Sequence, residues 1–119
     1  MNNELIVANN PKSGVAEAIK TIRTNLLFSS IDEPVKSILM TSSMSGEGKS
    51  FVSANLAVAF AQAGVKVLIV DCDLRRGRQH KIFNIDNEQG LSNLLLDDVD
   101  KNYKKYIKKT RYENIYVLP

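Results

Sequence analysis

Ile38-Leu39-Met40-Thr41-Ser42-Ser43-Met44-Ser45-Gly46-Glu47-Gly48-Lys49-Ser50 is an apolar run that ends in small polar residues. Two glycines around an acid follow, then a lysine and a serine that open an amphipathic segment. That order is the grammar of a strand, a phosphate-cradling loop and a helix N-terminus. Gly46 and Gly48 lack Cβ, so the backbone can turn its amides inward and approach phosphate oxygens. The helix that follows adds its unpaired N-terminal amides and the positive end of its dipole. In that setting Lys49 reaches the terminal phosphates and Ser50 places its hydroxyl on Mg²⁺. The full spacing G-x-x-x-x-G-K-[ST] is not met, because Ser43 stands where the first glycine is expected. A glycine-rich turn that held nothing would leave a lysine at a helix start unexplained, since the dipole disfavours it there.

Working outward, the segment Lys49–Gln62 predicts a helix that is small and apolar almost all round, which is the pattern of a helix packed on more than one side. Gly64 predicts its C-terminal cap. Lys66–Val70 is a continuous β-branched and apolar run, as expected of a parallel strand covered on both faces. With a strand over Ser37–Ser42, this spacing predicts a right-handed βαβ unit and an α/β fold. Further on, Leu91–Leu96 reads as a short helix, Lys101–Arg111 as a basic helix or turn, and Asn114–Leu118 as a third strand. Before the loop, residues 1–12 read as an extended lead-in on the domain edge. Ser13 or Gly14 caps a helix over Val15–Ser29, whose apolar residues recur every three or four positions. Glu17, Lys20 and Arg23 form a charged ridge on that helix, either a solvated face with one i,i+3 ion pair or a docking surface for a neighbouring subunit.

The chain has 119 residues, 44% hydrophobic and 24% charged, and no run long enough to span a bilayer, which predicts one globular domain at most. No secretory signal follows Met1, and a single cysteine, Cys72, fits a reducing compartment, so the expected location is cytoplasmic. The length is short for a doubly wound nucleotide-binding domain, so residues 1–119 are expected to be a partial domain, either the N-terminal portion of a larger unit or a naturally shortened one. A net charge of +3 suits an anionic ligand or an anionic membrane face. No recognisable nucleic-acid motif accompanies the basic residues, and no nucleic-acid partner is expected.

Asp71 and Asp73 close the second strand beside the loop, where ligands bind in open α/β sheets. Two carboxylates facing a polyphosphate repel it unless a cation intervenes, so Mg²⁺ is the economical expectation. One of them could also take a proton from an attacking hydroxyl. The alternative is that Asp71 caps the next turn and Asp73 is solvated. Cys72 is expected to be a packing residue and His80 a surface or loop residue. Arg75, Arg76 and Arg78 could meet phosphate, substrate or a partner, or be solvated.

Three stretches together resemble the bacterial tyrosine kinases of capsular and exopolysaccharide synthesis. T-S-S-M-S-G-E-G-K-S resembles their Walker A motif, and V-L-I-V-D-C-D-L-R-R, Val67–Arg76, their Walker A′ motif. E-A-I-K-T-I-R-T-N-L, Glu17–Leu26, resembles their E-x-x-R-x-x-R oligomerisation motif. The resemblance implies an α/β, P-loop NTPase-like parallel sheet flanked by helices, truncated here. It implies an ATP-dependent, autophosphorylating protein-tyrosine kinase with ATP and Mg²⁺ as cofactors. Nucleotide binding then falls to Ser45, Gly46, Glu47, Gly48, Lys49, Ser50 and Phe51. Ser50, Asp73 and Asp71 form the metal site, and Lys49, Asp71 and Asp73 are catalytic. An oligomerisation helix over residues 13–30, with Glu17, Lys20 and Arg23, implies rings. A membrane-embedded modulator is the implied activator, which places the chain peripherally at the inner face of the membrane. Lys20 departs from the motif's first arginine and loses its planar two-pronged donor. Ser45 stands where proline is usual, Phe51 where threonine is common and Gly77 where proline often follows the arginines. The family's Walker B strand and tyrosine-rich tail have no counterpart in these residues. Two other readings compete: a partition- or septum-type ATPase, whose additional loop lysine is absent from Ser42-Ser43-Met44-Ser45, and a non-catalytic docking fragment.

Overall fold

The computed structural model describes residues 4–29, 32–41, 48–96 and 103–119. A short helical turn α1 (Ile6–Asn9) leads into α2 (Gly14–Phe28), and α3 (Lys49–Gln62) follows. Strand β1 (Val67–Val70) precedes two short helices, α4 (Gln79–Ile82) and α5 (Leu91–Leu96). A 3₁₀ turn over Tyr103–Tyr106, then β2 (Lys108–Lys109) and β3 (Ile115–Leu118), complete the chain. The sheet order is β1-β3-β2. β1 runs parallel to β3 with Val67 opposite Ile115 and Val70 opposite Leu118. The two-residue β2 is antiparallel to β3, so the sheet is mixed. No described helix is long and apolar enough to cross a membrane.

α2 begins where a serine can cap it. The Ser13 hydroxyl accepts from the Ala16 amide at 3.1 Å. α3 ends in a Schellman turn: Val65 N–H donates to the Phe60 carbonyl and Gly64 N–H to the Ala61 carbonyl. Gly64, just past the Ala63 cap, takes φ +87°, the left-handed backbone that glycine adopts without a Cβ penalty.

α3 is the shared wall of the core, packed by α1 and α2 on one side and by β1 and β3 on the other. Ala54, Leu56, Val58 and Ala59 are all buried along it. Asn55 is buried among them at 0% exposure, and its amide is fully used. Its Oδ1 accepts from Val7 N–H at 3.0 Å, and its Nδ2 donates to the carbonyls of Glu4 at 2.7 Å and Phe51 at 2.9 Å. This amide staples the N-terminal segment to the helix. Leu5 and Val7 are consequently fully buried, and the lead-in expected to lie extended on the edge is a helical turn inside the core.

Two strand expectations fail. Residues 34–41 form no strand, with Leu39 85% exposed, because neither β1 nor β3 pairs with them and an isolated strand has no ladder to hold it. The parallel pair is therefore β1 with β3, and the βαβ unit around α3 does not form in the described residues. β1 is covered on one face only. Val67 and Ile69 pack inward, while Leu68 and Val70 remain 45% and 43% exposed.

Replacing Asn55 by Ala strands the Val7 amide and the Glu4 carbonyl in the core, so urea unfolding should show a loss of about 2–3 kcal/mol. Ser13→Ala removes one half-buried cap and should cost about 1 kcal/mol. Equal losses in the two variants would refute the staple.

Candidate functional site

The first turn of α3 supplies one half of the site. Gly48 is its N-cap and holds φ +78°, with open space where a Cβ would stand, so the backbone conformation rather than crowding requires glycine. The geometry leaves the amides of Lys49, Ser50 and Phe51 without an intrahelical acceptor, at the positive end of a helix of 14 residues. Lys49 is exposed, and Ser50 and Phe51 are half-buried. Ser45, Gly46 and Glu47 lie outside the described residues, as does Ser42.

The other half is the loop that leaves β1. Asp71 folds it back on itself: Oδ1 accepts from Asp73 N–H at 3.1 Å, and Oδ2 from Arg78 N–H at 2.9 Å and Gln79 N–H at 3.1 Å. Asp71 thus caps the start of α4 while closing the loop. Gly77 makes room for this, since a Cβ there would sit 3.1 Å from Asp71 Oδ2 and 3.2 Å from the Asp73 carbonyl oxygen. Asp73 forms a second turn inside the first, its Oδ1 accepting from Arg75 N–H at 3.2 Å and Arg76 N–H at 2.9 Å.

Two interactions join the halves. Gln79, 4% exposed, donates from Nε2 to the Ser50 carbonyl at 3.2 Å. The Asp73 carboxyl is held below its ordinary range, first by the Arg76 amide, with the Arg75 amide and the charges of Lys49 and Arg76 acting the same way against a smaller desolvation effect. Asp73 is exposed, and its Oδ2 carries none of the described hydrogen bonds. The Asp73 carboxylate and the Ser50 hydroxyl, on the two segments that the Gln79–Ser50 hydrogen bond joins, are oxygen donors of the kind that Mg²⁺ takes. Among the described residues no group of three or more His, Cys, Asp or Glu side chains is placed to hold a metal alone. Such a site depends on ligand oxygens for the remaining positions, as Mg²⁺ sites on phosphates commonly do.

The charged ridge of α2 is split between surface and interior. Glu17 and Lys20 form an ion pair at 3.7 Å, and Lys20 Nζ also donates to the Pro11 carbonyl at 3.0 Å. Arg23 turns inward and donates from Nη1 to the Ala59 carbonyl on α3 at 3.1 Å, with Nε buried and unpartnered. These three residues sit on a helix packed against α3, not on the loop after β1.

Two expectations about neighbouring residues are corrected. Cys72 is exposed rather than packed, because Asp71 and Asp73 turn the backbone out of the sheet around it. His80 is not a free surface residue. It lies on α4 with Nδ1 buried and without a hydrogen-bond partner, beside a cavity of about 610 Å³ that Arg75, Arg76, Ser92 and Asn93 also line. Reading the sequence found the three arginines but not this cavity, because residues about 17 positions downstream close its far side.

Residues 38–111 match the CobQ/CobB/MinD/ParA nucleotide binding domain family. The putative tyrosine-protein kinase CapB of Staphylococcus aureus is 47% identical over 96% of this chain and 49% of its own length. The tyrosine-protein kinase YwqD of Bacillus subtilis is 48% identical over 81% of this chain and 40% of its own length. Among solved structures, the chimerical protein CapA2B2 superposes with a TM-score of 0.87 at 47% identity, covering 99% of this chain and 51% of that one. The kinase domain of the Escherichia coli tyrosine kinase ETK gives 0.85 at 34% identity, covering 96% and 44%. The chain thus spans about half the length of the relatives it matches. It belongs to the CobQ/CobB/MinD/ParA nucleotide-binding domain family, where it is similar to the bacterial tyrosine kinases.

Proposed function

We propose that residues 1–119 form the nucleotide-binding part of an ATP-dependent, autophosphorylating protein-tyrosine kinase that regulates capsular or exopolysaccharide synthesis. The observation that carries this reading is that the first turn of α3, with Gly48 left-handed at its start, is joined to the loop after β1 by the hydrogen bond from Gln79 Nε2 to the Ser50 carbonyl. The amides from Gly46 to Ser50 hold the ATP phosphates, and Ser45, Glu47 and Phe51 flank them. The Ser50 hydroxyl and the Asp73 carboxylate would hold Mg²⁺, with Asp71 as the third candidate ligand. The ion neutralises charge on the β- and γ-phosphates when bound. Lys49 stabilises the charge that develops on the transferred group. A tyrosine hydroxyl oxygen bonds to the γ-phosphorus as its bond to the β–γ bridging oxygen breaks, and ADP leaves. The hydroxyl proton passes to Asp71, whose carboxylate has about four acceptor directions, of which three are occupied by loop amides.

In the same reading the chain works at the inner face of the membrane through a membrane-embedded modulator, and rings form through α2. Glu17 and Lys20 present the accessible part of that contact, while Arg23 fixes α2 on α3.

The test is phosphotyrosine formation by the intact protein with Mg·ATP. Lys49→Met should lower it by at least about 100-fold, the usual cost of losing one transition-state charge contact. Phosphotyrosine persisting in that variant would refute the assignment, and ATP-dependent dimerisation without phosphotyrosine would favour a partition-type ATPase. Asp71→Ala and Asp71→Asn separate the two duties of that residue. Alanine should disturb the Arg78 and Gln79 amide resonances as well as activity, whereas asparagine, which keeps one acceptor oxygen, should retain more of the loop and still lose proton transfer.

Asp73 has a pH signature. Its folded pKa is depressed, so its contribution to the loop is present above the unfolded value and lost as pH falls through the lower folded one. In an acid titration followed by NMR, the Arg75 and Arg76 amides should shift with a midpoint below the ordinary aspartate value of about 3.9. Lys49→Met should move that midpoint upward. A midpoint unchanged in Lys49→Met would remove the Lys49–Asp73 coupling.

A further inference from the structure

The cavity of about 610 Å³ beside the loop after β1 is within the range of ligand pockets, roughly 300–1,000 Å³. Asp73 stands on its edge, so the cavity opens directly beside the proposed transfer site. The far wall is held in place from the sheet: Leu91 N–H donates to the Pro119 carbonyl at 2.6 Å, and a Cβ at Gly90 would collide with that carbonyl. The cleft is thus built by packing between α5 and the end of β3.

Its lining has two kinds of uncommitted surface. Arg78 is already paired with Glu4 at 2.7 Å. The Arg75 and Arg76 guanidinium groups are exposed, and neither makes a hydrogen bond or ion pair among the described residues. Between them and Asp73, Leu74 presents an apolar side chain that is 58% exposed. Bare guanidinium forks match carboxylates in a bidentate way, and an isolated leucine among them offers a dry step for a ring. A single inorganic anion would use one fork and leave the leucine and most of the cleft empty.

We propose that this cleft receives the phosphoacceptor polypeptide and selects an acidic one, with the tyrosine ring on Leu74 and flanking carboxylates on Arg75 and Arg76. The inference rests on the kinase reading above and adds the substrate class that the site accepts.

Fluorescence anisotropy of the intact protein tests this, using a labelled peptide with a tyrosine flanked on both sides by glutamates and its counterpart flanked by glutamines. The acidic peptide should bind about tenfold more tightly, as expected of two charge-assisted contacts, with the gap closing as salt rises. The double variant Arg75→Ala/Arg76→Ala should erase the preference, and Arg75→Lys/Arg76→Lys should keep part of it. Both side chains are exposed, so thermal unfolding should stay near that of the parent and report any loss of fold. Equal affinity for the two peptides would overturn the proposal, as would a preference that survives the double alanine variant. Arginine-dependent binding of inorganic phosphate with no peptide preference would also overturn it. If phosphotyrosine forms while the preference is absent, this inference falls and the kinase reading stands. If no phosphotyrosine forms under any condition, the kinase reading itself falls, whatever the peptides do.

Discussion

Everything at the candidate site depends on the Asp71 carboxylate and the three backbone amides it collects. A strand that ends in a polar loop has no intrinsic reason to hold one shape, because each exposed amide can be satisfied by water. Asp71 removes that freedom by drawing in Asp73, Arg78 and Gln79 at once. Its effect propagates outward: Asp73 is set into a second turn, Gln79 is brought to the first turn of α3, and Arg75 and Arg76 are turned into the cleft. The residue that sequence reasoning singled out for chemistry is also the one that shapes the loop. A loss of activity on its deletion would therefore reflect both duties.

α3 transmits order between the site and the rest of the fold. Its first turn faces the loop, its middle is pinned by Asn55 to Glu4 and Val7, and the Ala59 carbonyl accepts from Arg23 on α2. A guanidinium near the C-terminal half of a helix also meets the negative end of its dipole. The small side chains of α3 let a second layer of helices lie against it, and the resulting sandwich buries Leu5, Val7 and Ile19 with the inner face of the sheet. Anything that engages the outer face of α2 therefore acts on an element bonded directly to the phosphate-loop helix.

Much of this was legible beforehand where the signal is local. The span of α3, the Ser13 cap and the left-handed Gly64 follow from spacing and backbone chemistry within a few residues. Asp71 and Asp73 were found together because a hydrophobic run ends on them. The expected strand over Ser37–Ser42 failed for the opposite reason: apolar β-type residues make a strand only when a neighbour supplies the ladder, and none of the described strands does. The one-sided cover of β1 has the same origin. Asn55 was missed because an asparagine in an alanine-rich helix carries no mark of the distant backbone it will satisfy.

By itself, the sequence determined α2, α3, α5, the glycine turn that ends α3 and the acidic end of β1, since each rests on propensity, periodicity or capping over a short window. Only the tertiary structure decided that Asp71 serves the loop, that Arg23 faces inward while Glu17 faces out, and that Arg75 and Arg76 share a cleft with α5. The physical reason is that a side chain's role is set by which unsatisfied group lies within about 3 Å of it. For Arg23 that group lies 36 residues away on α3, and the far wall of the cleft comes from α5, so both wait for the core to close, whereas the amides that Asp71 holds lie within 8 residues of it.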